Sequence, residues 1–419
     1  MRRSTFHVTV GLVAVALLAA ACGGNGTKPA TGSASSAPAV GKTSGNAILV
    51  GGLQDGNFKG IDTGFQARIA RFNKQGGIDG RKIQFVGVLN DGNSLTADLS
   101  NAQTLVLKDH VFAVAPIADQ VLSPSAVQLF AQNSTPYIGY GLSPAFCNNN
   151  WGFPVSGCES SAQWQNTWGF AQAATAIGKS PKGLKVAVIG TDNSGGKAGT
   201  AGIVAINKIV GAHVVYGQAS VPQDGTTDYT PFVQAIMAGS PDMVELVTTF
   251  PSAIGLTAAL RQAGYKGAIW NPTAYVPGLF ATQPQLAQAL TGSLVVAQFP
   301  PTEQGSLAAL QVESDLKAIG APATFSLGEA VGWWSAEEFI QELQATAAKG
   351  PLTQANFGKV INAGWTIKPL AGGISQVTFP VDHVKSTGCY GTLQVEGAKY
   401  VVKVPFTCEP KATINVSGR

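Results

Sequence analysis

Ile48-Leu-Val-Gly-Gly-Leu53, then Ile61-Asp-Thr-Gly-Phe-Gln-Ala-Arg-Ile-Ala-Arg-Phe72, then Lys82-Ile-Gln-Phe-Val-Gly-Val-Leu89: across these three runs the spacing of the apolar residues changes twice, and the change decides the fold class. The first run is a short, nearly unbroken apolar segment, as in a strand covered on both faces. In the second, Ile61, Phe65, Ile69 and Phe72 fall on one face of a helix spanning 60–75, and Gly76-Gly77 ends it. The third is a strand again. A strand, a helix and a strand joined by short turns make a parallel pair with a crossover helix.

The same alternation runs outward from this unit. Helices are expected at 96–109 and 123–132, and strands at 111–115 and 136–139. After a loop the pattern restarts. Strands are expected at 184–189, 213–220, 243–248, 268–271 and 293–299, and helices at 161–176, 196–210, 229–238, 252–263 and 283–289. Helices at 307–319, 327–348 and 353–362 follow, and 374–406 reads as short antiparallel strands. The expected fold class is α/β, with two Rossmann-like lobes of parallel sheet flanked by helices. Two lobes are favoured over one sheet because single cores rarely grow past about 250–300 residues.

Parallel strands end on a common edge, where ligands bind. From the first lobe that edge offers Asp55, Ala118, Asp119, Gln120, Tyr140 and Gly141; from the second, Asn193, Ser194, Thr249, Phe250 and Tyr275, with Trp164 from the loop region. Polar loops with aromatic rings suit a small organic solute. Each residue also has a plainer reading. Asp55, Asn193 and Ser194 sit where they could cap helices, and Trp164 shares helical spacing with Trp168, as core residues do.

The amino-terminal region carries Arg2-Arg3, an apolar run over 8–21 and Ala19-Ala-Ala-Cys22, then a Gly/Ser/Ala/Pro-rich stretch to about residue 45. This reads as a signal peptide at 1–21 and a flexible tether at 22–45. The apolar run is shorter than the roughly 20 residues of a membrane span. Leu18-Ala-Ala-Ala-Cys22 resembles a bacterial lipobox, which implies acylation of Cys22 and an anchor on the outer face of the cytoplasmic membrane. The other cysteines are Cys147, Cys158, Cys389 and Cys408. Four cysteines allow three pairings; the two local ones, Cys147 with Cys158 and Cys389 with Cys408, are favoured. The latter two stand about equally far from a turn near Gly397. Formal net charge is +4, without a basic block, which gives no support for nucleic-acid binding.

The segment Arg68-Ile-Ala-Arg-Phe-Asn-Lys-Gln-Gly-Gly-Ile-Asp-Gly-Arg-Lys-Ile83 resembles a hallmark of type I periplasmic binding proteins of the leucine/isoleucine/valine-binding class. Asn90-Asp-Gly-Asn-Ser-Leu95, Val111-Phe-Ala-Val-Ala-Pro116, Lys185-Val-Ala-Val-Ile189, Thr227-Asp-Tyr229 and Ser240-Pro-Asp-Met-Val244 resemble further family motifs, in the family's order. The resemblance implies two lobes joined by three crossings, lobe 1 from 46–155 with 300–370 and lobe 2 from 156–299 with 371–419. It also implies a monomeric receptor of an ABC importer that closes on its ligand, hands it to permease subunits, and needs no cofactor or metal. The chain departs from the amino-acid-binding pattern in three places, the first being Ala118-Asp119-Gln120, where small hydroxyl residues are usual. Gly195-Gly196 stands where a Tyr-Gly pair is common, and the loop at 271–275 lacks an acid for a ligand ammonium. A buried zwitterion needs both charges compensated, so an aromatic or amphipathic solute is favoured over an amino acid. A lipoprotein that senses the same ligand for a membrane receptor is the alternative. An enzyme is disfavoured: G-x-S-x-G and H-E-x-x-H are absent, and His110 and His213 precede strands rather than follow them.

Overall fold

The computed structural model describes residues 47–416 apart from residue 273. The expected signal peptide, tether and Cys22 lie outside the described residues. Five strands form the first sheet: β1 (Ala47–Gln54), β2 (Lys82–Asn90), β3 (Ala113–Ala118), β4 (Tyr137–Gly139) and β5 (Gly152–Pro154). A short strand β6 (Trp164–Asn166) follows. The second sheet takes β7 (Lys185–Thr191), β8 (His213–Val221), β9 (Met243–Val247), β10 (Ala268–Asn271), β11 (Leu294–Ala297), β12 (Cys389–Glu396) and β13 (Lys399–Cys408). The last strand, β14 (Thr413–Asn415), pairs antiparallel with β6.

The first sheet runs β2-β1-β3-β4-β5, all parallel. The second runs β8-β7-β9-β10-β11 in parallel, extended by the antiparallel hairpin β12-β13. Counted from its own first strand, each parallel set has the order 2-1-3-4-5. Both therefore have a switch point beside the first strand, where connections leave toward opposite faces and open a crevice at the strand ends.

The helices are α1 (Ile61–Lys74), α2 (Leu95–Gln103), α3 (Pro124–Gln132), α4 (Trp168–Ala176), α5 (Ser194–Ile209), α6 (Thr230–Ala238), α7 (Phe250–Gln262), α8 (Leu279–Thr282), α9 (Gln285–Leu290), α10 (Leu307–Ala318), α11 (Leu327–Ala347) and α12 (Gln354–Ile361). The opening β1-α1-β2 unit forms as its apolar spacing requires. Asn73 clamps the helix end to the next strand: its amide donates to the Ile83 carbonyl at 2.8 Å and its oxygen accepts the Ile83 N–H at 2.9 Å. Gly77 turns between them at φ +72°, a conformation open to glycine. Ile61, Phe65, Ile69 and Phe72 join one large core with Trp333, Trp334, Phe339 and Phe357 from α11 and α12. The late helices therefore return to the first sheet. Ile374, Val377 and Phe379 lie in that same core.

Two expectations need correction. Residues 161–176 do not form one helix. Asn166 turns its side-chain oxygen onto the Trp168 N–H at 2.8 Å, which starts α4 there and leaves 164–166 to pair with the chain's last strand. The expected antiparallel strands over 374–406 begin only at Cys389, because the preceding segment packs into the first core instead. Both local disulfides are formed, and Cys389 faces Cys408 directly in the hairpin register.

Candidate functional site

The carboxyl ends of both sheets border a cavity of about 170 Å³. Phe58, Gln120, Tyr140 and Leu142 reach it from loops after β1, β3 and β4. Val247, Trp270, Val296 and Gln298 come from the ends of β9, β10 and β11, while Tyr390 on β12 and Phe170 on α4 complete the aromatic wall. Helix α5 supplies a floor of Gly195, Gly199 and Gly202. A Cβ on Gly199 would stand 2.9 Å from a Val247 methyl, and one on Gly202 would stand 2.7 Å from the Gln165 oxygen. The helix can lie this close, and the chamber stay open, because those side chains are missing.

Polar contacts tie the loops of one sheet to those of the other. The Gln120 side-chain oxygen accepts from Asn193 at 3.4 Å, and its backbone carbonyl accepts from the Ser194 hydroxyl at 3.3 Å. Gln223, after β8, donates to the Asn93 carbonyl at 2.6 Å. Gln120 is held from behind by Asp55, whose carboxylate accepts the Gln120 N–H at 3.2 Å and the Asn57 N–H at 2.9 Å. Asp55 is buried, which pushes its carboxyl above the usual range.

On the opposite wall, Tyr140 donates its hydroxyl to Gln298, with its ring edge-on to Phe58 and Phe299 at 6.0 and 5.7 Å. The Tyr390 hydroxyl donates to Glu159 at 3.2 Å. Burial raises the Glu159 carboxyl to about 7, partly offset by the nearby hydroxyls of Ser156 and Tyr390. Among the described lining residues, Glu159 is the one with a formal charge available.

Of the residues singled out from sequence, Gln120 and Tyr140 line the cavity. Asp55, Asn193 and Ser194 adjoin it by positioning Gln120, and Asn193 also caps α5 by accepting the Gly196 N–H at 2.7 Å. Ala118 is the buried last residue of β3, and Gly141 lets the Gly157 carbonyl pass close by. Trp164 lies on β6 beneath the Lys385 ammonium, 5.4 Å from its ring centre. Thr249 precedes α7, and Phe250 and Tyr275 pack into a separate apolar cluster. The Tyr275 hydroxyl donates to Glu303 at 2.6 Å, away from the chamber.

Asp119 points elsewhere. With Asp91 and Asp98 it forms a buried group whose ligating atoms lie within 4.8 Å of one another. Each carboxylate anchors a backbone N–H at 2.7 Å: Asp91 accepts from Asn93, Asp98 from Ser123 and Asp119 from Val121. Burial raises all three, Asp91 to about 6. Three close acids in a dry site disfavour carrying three negative charges at once. Sequence reasoning missed Glu159, Tyr390, Trp270 and Phe170. One signal was available: Glu159 and Tyr390 directly follow Cys158 and Cys389, so both bridges fix residues beside the cavity.

Among proteins with curated functions, none matches this sequence. Solved structures do. A solute-binding protein of an ABC transporter from R. palustris, in complex with 4-hydroxybenzoate, is 18% identical with a TM-score of 0.70, covering 86% of this chain and 97% of that one. A fatty acid ABC transporter substrate-binding protein from Thermomonospora curvata is 18% identical with a TM-score of 0.72, covering 89% and 95%. A branched chain amino acid ABC transporter protein from Thermus thermophilus with bound valine is 13% identical with a TM-score of 0.69, covering 87% and 97%. The family model described as periplasmic binding protein matches residues 47–398. Such proteins bind solutes outside the cytoplasm and are not enzymes. Among the described residues no helix is long and apolar enough to cross a membrane. With the match extending over most of its length, this chain belongs to the periplasmic binding protein family, type I.

Proposed function

We propose that the chain is the extracytoplasmic receptor of an ABC importer, and that it captures one compact organic solute in the cavity at the strand ends. The observation that carries this reading is the set of contacts from Gln120 to Asn193 and Ser194, which links the two sheets' loops across the chamber rim. Ligand bound there touches both halves only when they are shut, so it shifts the open–closed equilibrium. In this reading lobe 1 comprises 46–155 with 300 to about 383, and lobe 2 comprises 156–299 with the remainder. The later boundary follows Phe379 and its partner ring His383, 4.6 Å away, into the first core.

The solute is of single-ring size. A cavity of about 170 Å³ compares with the ~150 Å³ that admits benzene elsewhere, and a long acyl chain exceeds it. Aromatic or amphipathic compounds fit the walls better than a branched amino acid does. The neighbour with bound 4-hydroxybenzoate shows that this fold accommodates a ring of that size. Acylation at Cys22, with residues 22–45 as tether, would hold the receptor beside its permease.

Thermal shift against single-ring acids, amines, amides, valine and long-chain fatty acids tests the reading. A ligand that binds only the folded state raises the melting temperature, by mass action. Ala198 on α5 lines the chamber, and the expected outcome is a shift with a single-ring compound that Ala198→Trp, which fills the chamber, abolishes. A full shift retained in Ala198→Trp would move the site elsewhere.

A further inference from the structure

We propose that the solute held in this cavity is a compact amine bound as a cation, with Glu159 as its counter-ion. This rests on the cavity being the solute site, and it narrows the class of solute. The argument begins with charge. Among the described residues that line the chamber there is no lysine, arginine or histidine, and Glu159 is the sole ionisable acid. A buried anion would find no partner of opposite charge, whereas a cation would find one. Phe170, Trp270, Tyr140 and Tyr390 surround the same space. Ring faces attract ammonium groups. An aromatic wall with a single carboxylate is the lining that a cationic nitrogen with an apolar body requires.

Glu159 is held for this role. Its N–H donates to the Gly141 carbonyl at 3.0 Å, and Cys158 before it is bridged to Cys147. One carboxylate oxygen, Oε2, accepts from Tyr390, which follows the bridged Cys389. The titratable groups set against it are Tyr390 and Tyr140, both raised well above the usual phenol range by burial and by the Glu159 charge. They stay neutral through the physiological range. Lys385 contributes its backbone carbonyl to the Cys158 N–H, and its ammonium sits over Trp164. Burial holds the Glu159 proton up to about pH 7. A cationic ligand must displace that proton, so its affinity rises with pH.

The test is calorimetric titration of the full chain with benzylamine, choline, benzoate and benzyl alcohol at pH 6 and pH 8. The first two remain cationic at both values. Expected are binding by one or both cations, about tenfold tighter at pH 8 than at pH 6 from the release of one proton near pH 7, and weak or no binding of benzoate and the alcohol. Glu159→Gln keeps an acceptor for Tyr390. It should stay folded with a melting temperature at or above that of wild type, since a raised carboxyl costs stability that glutamine does not, while losing tenfold or more in cation affinity and losing the pH dependence of binding. Benzoate or benzyl alcohol binding as tightly as benzylamine would overturn the assignment and leave the cavity standing as a solute site. So would cation affinity that falls as pH rises, survives unchanged in Glu159→Gln, or is absent for both cations. Failure of the cavity itself is read separately, from Ala198→Trp with the wider panel.

Discussion

Replacing Glu245 by Gln should make the protein more stable at alkaline pH and leave it nearly unchanged in acid. Glu245 sits in the middle of β9, fully buried, level with Val188 on one neighbouring strand and Trp270 on the other. The Asn207 amide donates to its Oε2 at 2.7 Å, while its Oε1 has no partner among the described residues. Burial therefore raises the carboxyl from 4.5 to about 8, with Asn207 offsetting a part. Between those values the folded chain holds a proton that the unfolded chain has released. Stability from this group is thus fully present below about pH 4.5 and declines as pH rises toward 8. Each pH unit in the window removes about 1.4 kcal/mol, and by pH 8 the loss reaches ~4 kcal/mol. Glutamine has the same shape, stays neutral and can still accept from Asn207, so it does not titrate. Urea unfolding of both proteins at pH 5, 7 and 8.5 measures the difference. Other buried acids, Glu338 and Glu342 among them, are shared by both proteins and cancel in the comparison. The expected gap between variant and wild type is under ~1 kcal/mol at pH 5 and several kcal/mol at pH 8.5. A gap independent of pH would show that Glu245 is ionised in the folded state and would refute the reasoning.

Two further outcomes are expected. At Gly332 on α11 a Cβ would run into the Ile61 carbonyl of α1, so Gly332→Ala should cost ~3 kcal/mol or more, read as a lower urea midpoint at unchanged slope; an unchanged midpoint would mean that the two helices can part without loss. Cys22→Ser should move the protein from the membrane fraction to the soluble fraction of cells, and unchanged retention would rule out acylation at that residue.

The parts of this molecule that could be read from the chain are those set by local period. The β1-α1-β2 unit follows from apolar spacing, and the pairing of Cys389 with Cys408 follows from their equal distance to a turn, because a hairpin register is itself a local count. What escaped depends on partners far along the chain. Arg68 and Arg71 on α1 pair with Glu337 and Asp315 on helices more than two hundred residues away, which no local period marks. Phe250 and Tyr275 follow strand ends in the second sheet, as ligand contacts do. Tyr275, however, stacks edge-on against Tyr400 at 5.4 Å from the antiparallel hairpin, which no periodicity foretells. The same hairpin brings Tyr390 onto Glu159 across the chamber. A parallel sheet announces where its crevice opens, since every strand ends on one edge. It does not announce which later segment will wall that crevice. Here part of the wall comes from two disulfide-braced pieces, 158–160 and 386–390, and with them comes the one acid among the described residues that line the cavity. The proposed counter-ion, Glu159, therefore lies in a segment that the repeating βα pattern leaves out.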